Sequence, residues 1–444
     1  MTPLLLGTLQ QLEHSQYWPP DELRAHQFRQ LAELIRHATR TMPFYATRLR
    51  AAGLDGAGLG DGEALDPARW RDVPILTRRE VQDAGAALHC SAIPAAHGAV
   101  VTDMTTGSVS MPLQIRRTAL AAFFWNVFTL REELWHRRDI RARMGVIRRD
   151  DRRPAGHAGP FGSSMPSWGP PLAGVYPTGD LVMLDNRASI AEQVEWLLRE
   201  QPAYLLTLPS HLLMLARHCL ADGIAMPFLQ GLRSSGEVLG EGIRAACRAA
   251  FDLGVWDMYS ATEIGYIALQ CPAHEHLHVQ AESCLVEVLD ARGRDCAPGE
   301  TGQVVVTPLH NFAMPLLRYS LGDRAEVGPP CPCGRGLPVL SHIHGRTRDM
   351  LKLPDGTSQI AYVSRRDFGL FPAIIQHQVV QTARDAVALH LVLRRELTDD
   401  EAARLRSIVL DGLGHPFRLE IVVQEAIPAG PGGKFLEFRC DVLD

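Results

Sequence analysis

The run GPGGKFLEFR at 430–439 carries Lys434, one of only two lysines among the 45 basic residues of this 444-residue chain. The other is Lys352, in DMLKLPDG, and the remaining 43 are arginines. A composition that turns lysine into arginine almost everywhere keeps a lysine where the role needs a compact charge on a flexible stem rather than a planar fork. Its Gly-rich loop adds to the expectation that Lys434 is functional. A second pattern, MTTGSVSMP at 104–112, collects hydroxyls and glycine. There Thr105, Thr106, Gly107 and Ser108 offer O–H and backbone N–H groups that can converge on phosphate oxygens, without the Gly-Lys-Ser/Thr of a Walker loop. A third, YSATEIG at 259–265, sets the Thr262 hydroxyl beside the Glu263 carboxylate. Such a pair can hold Mg2+ and a phosphate oxygen together. RSSGEV places Ser235, Gly236 and Glu237 between an apolar run and a helical one. RYSLGD puts Asp323 just after an expected strand, where one carboxylate can accept from both hydroxyls of a ribose. Singly, each of these is also what an ordinary polar turn looks like.

The nine cysteines are odd in number and scattered, apart from CPC at 331–333. That usage suits a reducing cytoplasm, with metal binding favoured over disulfides. Cys271 opens CPAHEHLHV, and with Cys331, Cys333 and one imidazole it completes a tetrahedral set for a structural Zn2+. His274, His276 and His278 alternate, so on a strand they would share one face, and spacing does not choose among them. The competing reading is buried thiols and solvent-facing histidines.

The elements that must position these groups follow from periodicity. A chain this long exceeds one typical core, so two domains are expected. Its first hundred residues read as helical: DELRAHQFRQLAELIRHATR has apolar residues at helical spacing and acids at its start. AAGLDGAGLGDG reads as a loop, and DVPILTRREVQDAG as a short strand and then a helix capped by Thr77. Beyond residue 102, helical segments such as SIAEQVEWLLRE alternate with short apolar runs such as AYLLTLP and GVWDMYS. The pattern predicts an α/β fold of mainly parallel sheets covered by helices. From about residue 284 the chain becomes strand-rich, with ARGRDCAPGE as a hairpin loop. After residue 345 it restarts as a small α+β unit, which gives a large domain over 1–345 and a small one over 346–444. The Arg-rich run REELWHRRDIRARMGVIRRDDRRP is interleaved with acids and reads mostly as a solvated helical face backed by a strand. Net charge is −5, which leaves no basic footprint for nucleic acid. The N-terminus has no basic n-region or cleavage site, and no apolar run is long enough to span a membrane. The expected protein is therefore cytoplasmic, a monomer or homodimer.

Taken in order, TTGS, SGE, YSATE, RYSLGD, GRTRD and GGK resemble the motif series of the adenylate-forming superfamily of acyl-CoA synthetases, luciferases and adenylation domains. MPFYATRLRAAGLD, QPAYLLTLPSHLLMLA, HNFAMPLLRYSLGDRAEV and CPCGRGLPVLSHIHGRTRDML are similar to its phenylacetate–CoA ligase-like branch, and together they cover nearly the whole chain. The resemblance implies a site for ATP, Mg2+, a small-molecule carboxylic acid and an acceptor thiol. Thr105, Thr106, Gly107 and Ser108 would cradle the β- and γ-phosphates. Ser235, Gly236 and Glu237 would line the adenine, flanked by Tyr259 and Ser260. Thr262 would meet the α-phosphate and Glu263 would hold Mg2+. Asp323 and Arg346 would bind the ribose, and Asp349 would be the interdomain hinge. Lys434 would bridge the acyl carboxylate, the α-phosphate and the ribose. His278 is the zinc ligand the resemblance favours. Coenzyme A is the acceptor implied first, with a carrier-protein phosphopantetheine or an amine as alternatives and a non-catalytic nucleotide-binding relative as a further one. Two departures stand out: Ser110 and Met111 replace a glycine and a lysine common in the phosphate loop, and GPGGK lacks the usual preceding hydroxyl. Phe123, Phe124, Trp125 and the apolar run at 204–206 are compatible with an aromatic or apolar acid, although helical spacing also fits core packing.

Overall fold

The computed structural model describes residues 2–54, 65–104, 113–150, 152, 160–346, 350–354, 358–360, 368, 371–413, 415–428, 435–436 and 438–442. Helices α1 (Thr2–Ser15), α2 (Pro20–Thr41), α3 (Pro43–Ala51), α4 (Pro67–Arg71) and α5 (Arg78–Ala84) make the N-terminal part. Proline opens α2 at a position whose N–H needs no partner, and Asp21 and Glu22 meet the positive end of its dipole. The stripe Leu31, Leu34, Ile35 and Ala38 is buried against Leu309, Leu316, Leu317 and Tyr319. Thr77 caps α5 in a reciprocal box with Glu80, as the sequence predicts.

Strands β1 (Val100–Met104) and β2 (Gln114–Thr118) form an antiparallel hairpin that leads into α6 (Ala119–Trp135). Next come β3 (Met144–Arg148), β4 (Gly162–Met165), β5 (Leu181–Asp185), α7 (Ile190–Glu200), β6 (Tyr204–Thr207), α8 (Pro209–Asp222), β7 (Gly231–Ser235), α9 (Glu241–Phe251) and β8 (Val255–Ala261). The strand-rich part follows: β9 (Gly265–Gln270), β10 (Leu277–Val279), β11 (Cys284–Leu289), β12 (Thr301–Pro308), β13 (Tyr319–Val327) and β14 (Val339–Arg346). Among the described residues, twelve of these strands join one sheet in the order β11-β12-β13-β14-β10-β9-β8-β7-β6-β3-β5-β4. The run β5-β3-β6-β7-β8 is parallel, and α7, α8 and α9 pack one core against it. The rest is antiparallel, so the sheet is mixed rather than mainly parallel. The reversal begins at the three-residue turn after β8, which is far too short for the helical crossover a parallel neighbour requires.

The Arg-rich run departs from expectation in part: Arg137, Asp139, Arg141, Arg148 and Arg149 are exposed. The strand behind it is β3, but Arg131, Glu132, Glu133 and Arg138 are buried, not solvated. Arg131 donates to Gln280, Glu282 and the Leu12 carbonyl. Arg138 and Arg233 each bridge Glu132 and Glu133. Charge alternation reads the same in sequence whether the partners are water or one another. Burial is tolerable here because each charge meets its opposite with good geometry.

The chain continues as β15 (Met350–Lys352), β16 (Ser358–Ile360), β17 (Ile374–Ala383), β18 (Ala386–Leu393), α10 (Asp399–Leu413), β19 (Arg418–Val423) and β20 (Phe438–Cys440). A four-stranded sheet β19-β18-β17-β20 packs Leu389 and Leu391 on Leu405, Val409 and Leu413 of α10, with Phe371 in the same core. Lys352 is tied into this unit. Its backbone exchanges hydrogen bonds with the Gln381 amide and its ammonium donates to the Val442 carbonyl at 2.8 Å.

Candidate functional site

The carboxyl ends of β7 and β8 and the strand β13 bring the candidate nucleotide residues together. Ser235 ends β7, and Gly236 follows at φ +84°, a conformation glycine adopts without Cβ strain. The Glu237 carboxylate then accepts from two backbone N–H groups: Ser210, in the first turn of α8, at 2.9 Å, and Phe435 at 2.8 Å. Tyr259, nearly buried on β8, donates its hydroxyl to Asp323 Oδ2 at 2.7 Å. Asp323 lies inside β13 rather than after it, directly opposite Arg346 of β14 in the register. The expected strand runs on because Gly322, at φ +77°, lets the chain turn without ending its pairing.

Ser260 sits near the end of β8, and Thr262 and Glu263 form the turn to β9. Glu263 is nearly buried, and Arg78 at the start of α5 holds its Oε1 at 3.0 Å. Thr262 borders a cavity of about 360 Å3 with Val101, Asp103 and Arg117 of the β1–β2 hairpin and Ala122, Trp125 and Asn126 of α6. Trp125 packs on Tyr266 at 4.7 Å between ring centroids, and Phe124 stacks on His310 at 3.8 Å. Thr105, Thr106, Gly107 and Ser108, between the paired residues Met104 and Gln114, lie outside the described residues, as do Asp349 and Lys434. For Arg346 only the backbone is described.

Three contributors were not singled out from sequence. Arg78 is one; a second arginine beside it in TRRE hid its direction. Asp257 is another: burial pushes its carboxyl up to about 6, against a hydrogen bond from Ser234 Oγ at 2.7 Å. Gln378 is the third, donating to the Leu436 carbonyl at 2.7 Å. None has a local signature, since the partner in each case comes from a distant segment or a neighbouring strand.

The second constellation gathers around β10. Cys271 and Cys331 face each other with Sγ atoms 3.8 Å apart, and Cys333 Sγ lies 3.4 Å from His278 Nε2. Zn–S of about 2.3 Å and Zn–N of about 2.0–2.1 Å at the tetrahedral angle require edges of ~3.8 Å for S···S and ~3.6 Å for S···N. Backbone N–H groups of Ala273 and Cys333 point at the Cys271 and Cys331 sulfurs. Burial keeps His278 neutral, lowered to about 4, and raises Cys331 to about 12. A bound cation would favour the thiolate form of such a thiol. Cys271, His276, His278 and Cys331 also offer ligand atoms within 4.8 Å of one another, and His276 Nε2 is buried with no hydrogen-bond partner among the described residues. The shared-face expectation does not extend to His274 and His276, which precede β10 in a turn; His274 is exposed. The donor set fits one tetrahedral soft cation. Beside it, Arg335 lies over Trp135 at 4.5 Å and donates to Gln16 at 2.8 Å, tying the cysteine segment to the end of α1.

No family model matches the chain. It is 23% identical over 427 residues to a phenylacetate–coenzyme A ligase of Thermus thermophilus, across 93% of this chain and 87% of that one. To a phenylacetate–coenzyme A ligase of Aromatoleum evansii it is 23% identical over 344 residues, 74% of this chain and 72% of that one. Among solved structures it superposes on a 2-hydroxyisobutyryl-CoA ligase in its postadenylation state with a TM-score of 0.71 at 20% identity, covering 96% and 91% of the two chains. The same ligase in its thioesterification state gives 0.59, and in an open conformation 0.57. The fold is shared. Among the described residues no helix is long and apolar enough to cross a membrane.

Proposed function

We propose that this relative of the phenylacetate–coenzyme A ligases, an adenylate-forming enzyme by fold, activates a carboxylic acid with ATP and passes the acyl group to a thiol. The observation that carries the reading is the convergence of Glu237, Tyr259, Thr262, Glu263 and Asp323 on one end of the sheet, with the segment after Lys434 docked on Glu237.

A carboxylate is a poor nucleophile toward an anionic phosphate, so the site must offset repulsion and hold the attack in line. Ser235 and Gly236 and the Tyr259 ring form the adenine side, with Ser260 beside them. Asp323, oriented by the Tyr259 hydroxyl, accepts from the ribose, and Arg346 opposite it adds a cation there. Thr262 orients the α-phosphate. Thr105, Thr106, Gly107 and Ser108 cradle the β- and γ-phosphates, with Ser110 and Met111 making that loop less basic than in relatives. Glu263 is the residue that would hold Mg2+, which neutralises phosphate charge when bound; Arg78 holds the carboxylate in its place until then. Lys434 places its ammonium between the acyl carboxylate and the α-phosphate. The carboxylate oxygen bonds to the α-phosphorus, the bond to pyrophosphate breaks, and an acyl-adenylate remains. Rotation of the unit beyond 345 about Asp349 then admits the thiol, whose sulfur attacks the acyl carbon and expels AMP.

Coenzyme A is the acceptor, and an aromatic or apolar acid the substrate class, with the Trp125 wall on one side of the cavity. Cys271, Cys331, Cys333 and His278 hold a structural Zn2+ that clamps the turn before β10 to the segment leading into β14. ATP–pyrophosphate exchange across aryl, aliphatic and amino acids tests the reading. Exchange dependent on one acid supports it; an absence of exchange together with an absence of ATP binding by calorimetry overturns it. Product mass spectrometry separates a coenzyme A thioester from a carrier-protein thioester or an amide.

A further inference from the structure

We infer that Glu237 is a conformational latch, a positioning residue that holds the segment 435–436 against the large domain for adenylation and must let go for thiol transfer. The inference rests on the adenylation reading above and goes beyond the adenine-lining role expected of this residue. Its geometry is a strap across two units. On the large-domain side, Glu237 Oε1 accepts from the Phe435 N–H at 2.8 Å, the residue directly after the lysine. On the small-domain side, Gln378 of β17 donates to the Leu436 carbonyl at 2.7 Å, and Phe438 pairs with Val379. The Phe435 N–H and the Leu436 carbonyl are therefore held from opposite sides, and rotation of the small domain must break the Phe435 contact.

The acceptor is itself anchored. Glu237 Oε2 takes the Ser210 N–H at 2.9 Å, within the orphan donors of the α8 N-terminus, where a carboxylate is favoured by the helix dipole. Gly236 at φ +84° turns the carboxylate toward this position. The latch bond joins a charged acceptor to a neutral backbone donor. It is stronger than a neutral pair, yet half-exposed, so it can form and break in each catalytic cycle.

The test uses the full chain and two variants that approach the bond from opposite ends: Glu237→Ala removes the acceptor and Phe435→Pro removes the donor. Hydrogen exchange of the Phe435 amide is read in the wild type and in Glu237→Ala. Steady-state kcat and ATP KM for acid-dependent pyrophosphate exchange are read in both variants. The latch predicts at least tenfold faster exchange of the amide in Glu237→Ala, and a roughly 10- to 100-fold fall in kcat shared by both variants with ATP KM little changed. Glu237→Gln, which keeps an oxygen acceptor, recovers part of the loss. If Glu237 only lines the adenine, its alanine variant raises ATP KM with kcat intact, Phe435→Pro is silent and the amide exchange is unchanged; that result overturns the latch. Failure of the adenylation reading is separate: no acid then supports exchange in the wild type, while the amide measurement still reports on the contact.

Discussion

Arg233→Met removes one arm of a buried quartet and should be the most informative stability probe. Arg233 on β7 reaches Glu132 at 2.5 Å and Glu133 at 2.6 Å, and Arg138 reaches the same carboxylates at 2.5 Å and 2.7 Å. The side chains are at most 6% exposed. His136 nearby is kept neutral, its burial lowering it to about 4, so the group holds two positive and two negative charges. Methionine matches much of the arginine volume, leaving one buried negative charge without a counterpart, a change that costs about 3–5 kcal/mol. For a core of this size that is a fall of about 6–10 °C in the midpoint of the large-domain transition. Tryptophan fluorescence reports it, since Trp135 and Trp256 sit beside the cluster. The pH dependence supplies the sign. Burial would raise Glu132, but the Arg233 and Arg138 charges win and lower it from 4.5 to about 2. In the wild type its stabilising share is complete above about pH 4.5 and is lost as pH falls toward 2. Without Arg233 one carboxyl of the pair titrates above its ordinary value, so the deficit seen at pH 7 shrinks as the solution is taken toward pH 5. A midpoint within two degrees of wild type (about 1 kcal/mol), or a deficit that is flat from about pH 5 to 8, would refute the reasoning.

Further expectations concern the site. Lys434→Ala should lower adenylation at least about 100-fold with unchanged circular dichroism, and Lys434→Arg should not restore it, because a fork cannot replace the point charge; wild-type exchange rates in either variant would remove that role. Arg78→Ala should free Glu263 and lower the Mg2+ concentration needed for half-maximal exchange by a few-fold, whereas an unchanged Mg2+ profile would show that the ion pair does not compete with the cation. Metal analysis of protein purified without chelator should find about one zinc per chain. Cys271→Ser, Cys331→Ser and His278→Ala should each lose it; retention in His278→Ala with loss in His276→Ala would reassign the fourth ligand.

The sequence by itself determined the order of the motifs and the local shapes around them. The Thr77 cap, the α7 stripe, the turn after β8 and the hairpin between β11 and β12 depend on spacing within a dozen residues, and periodicity carries that information. The lysine bias pointed to Lys434, and the Cys-x-Cys with a distant Cys271 pointed to a metal set, because rare residue types keep their meaning without a fold. What only the tertiary structure decided is which distant groups meet. Arg131, Glu132, Glu133 and Arg138 looked solvated and are buried, and a guanidinium from β7 reaches Glu132 across 101 residues of sequence. Asp323 belongs to a strand rather than its end because β14 continues to pair beside it. Glu237 meets Phe435 across 198 residues, and no local pattern encodes a contact between segments so far apart in sequence. Hydrogen bonds and ion pairs act over a few ångströms, so a residue's chemistry is legible in the sequence, whereas its partner is set by how the sheet and the small domain bring the chain back on itself.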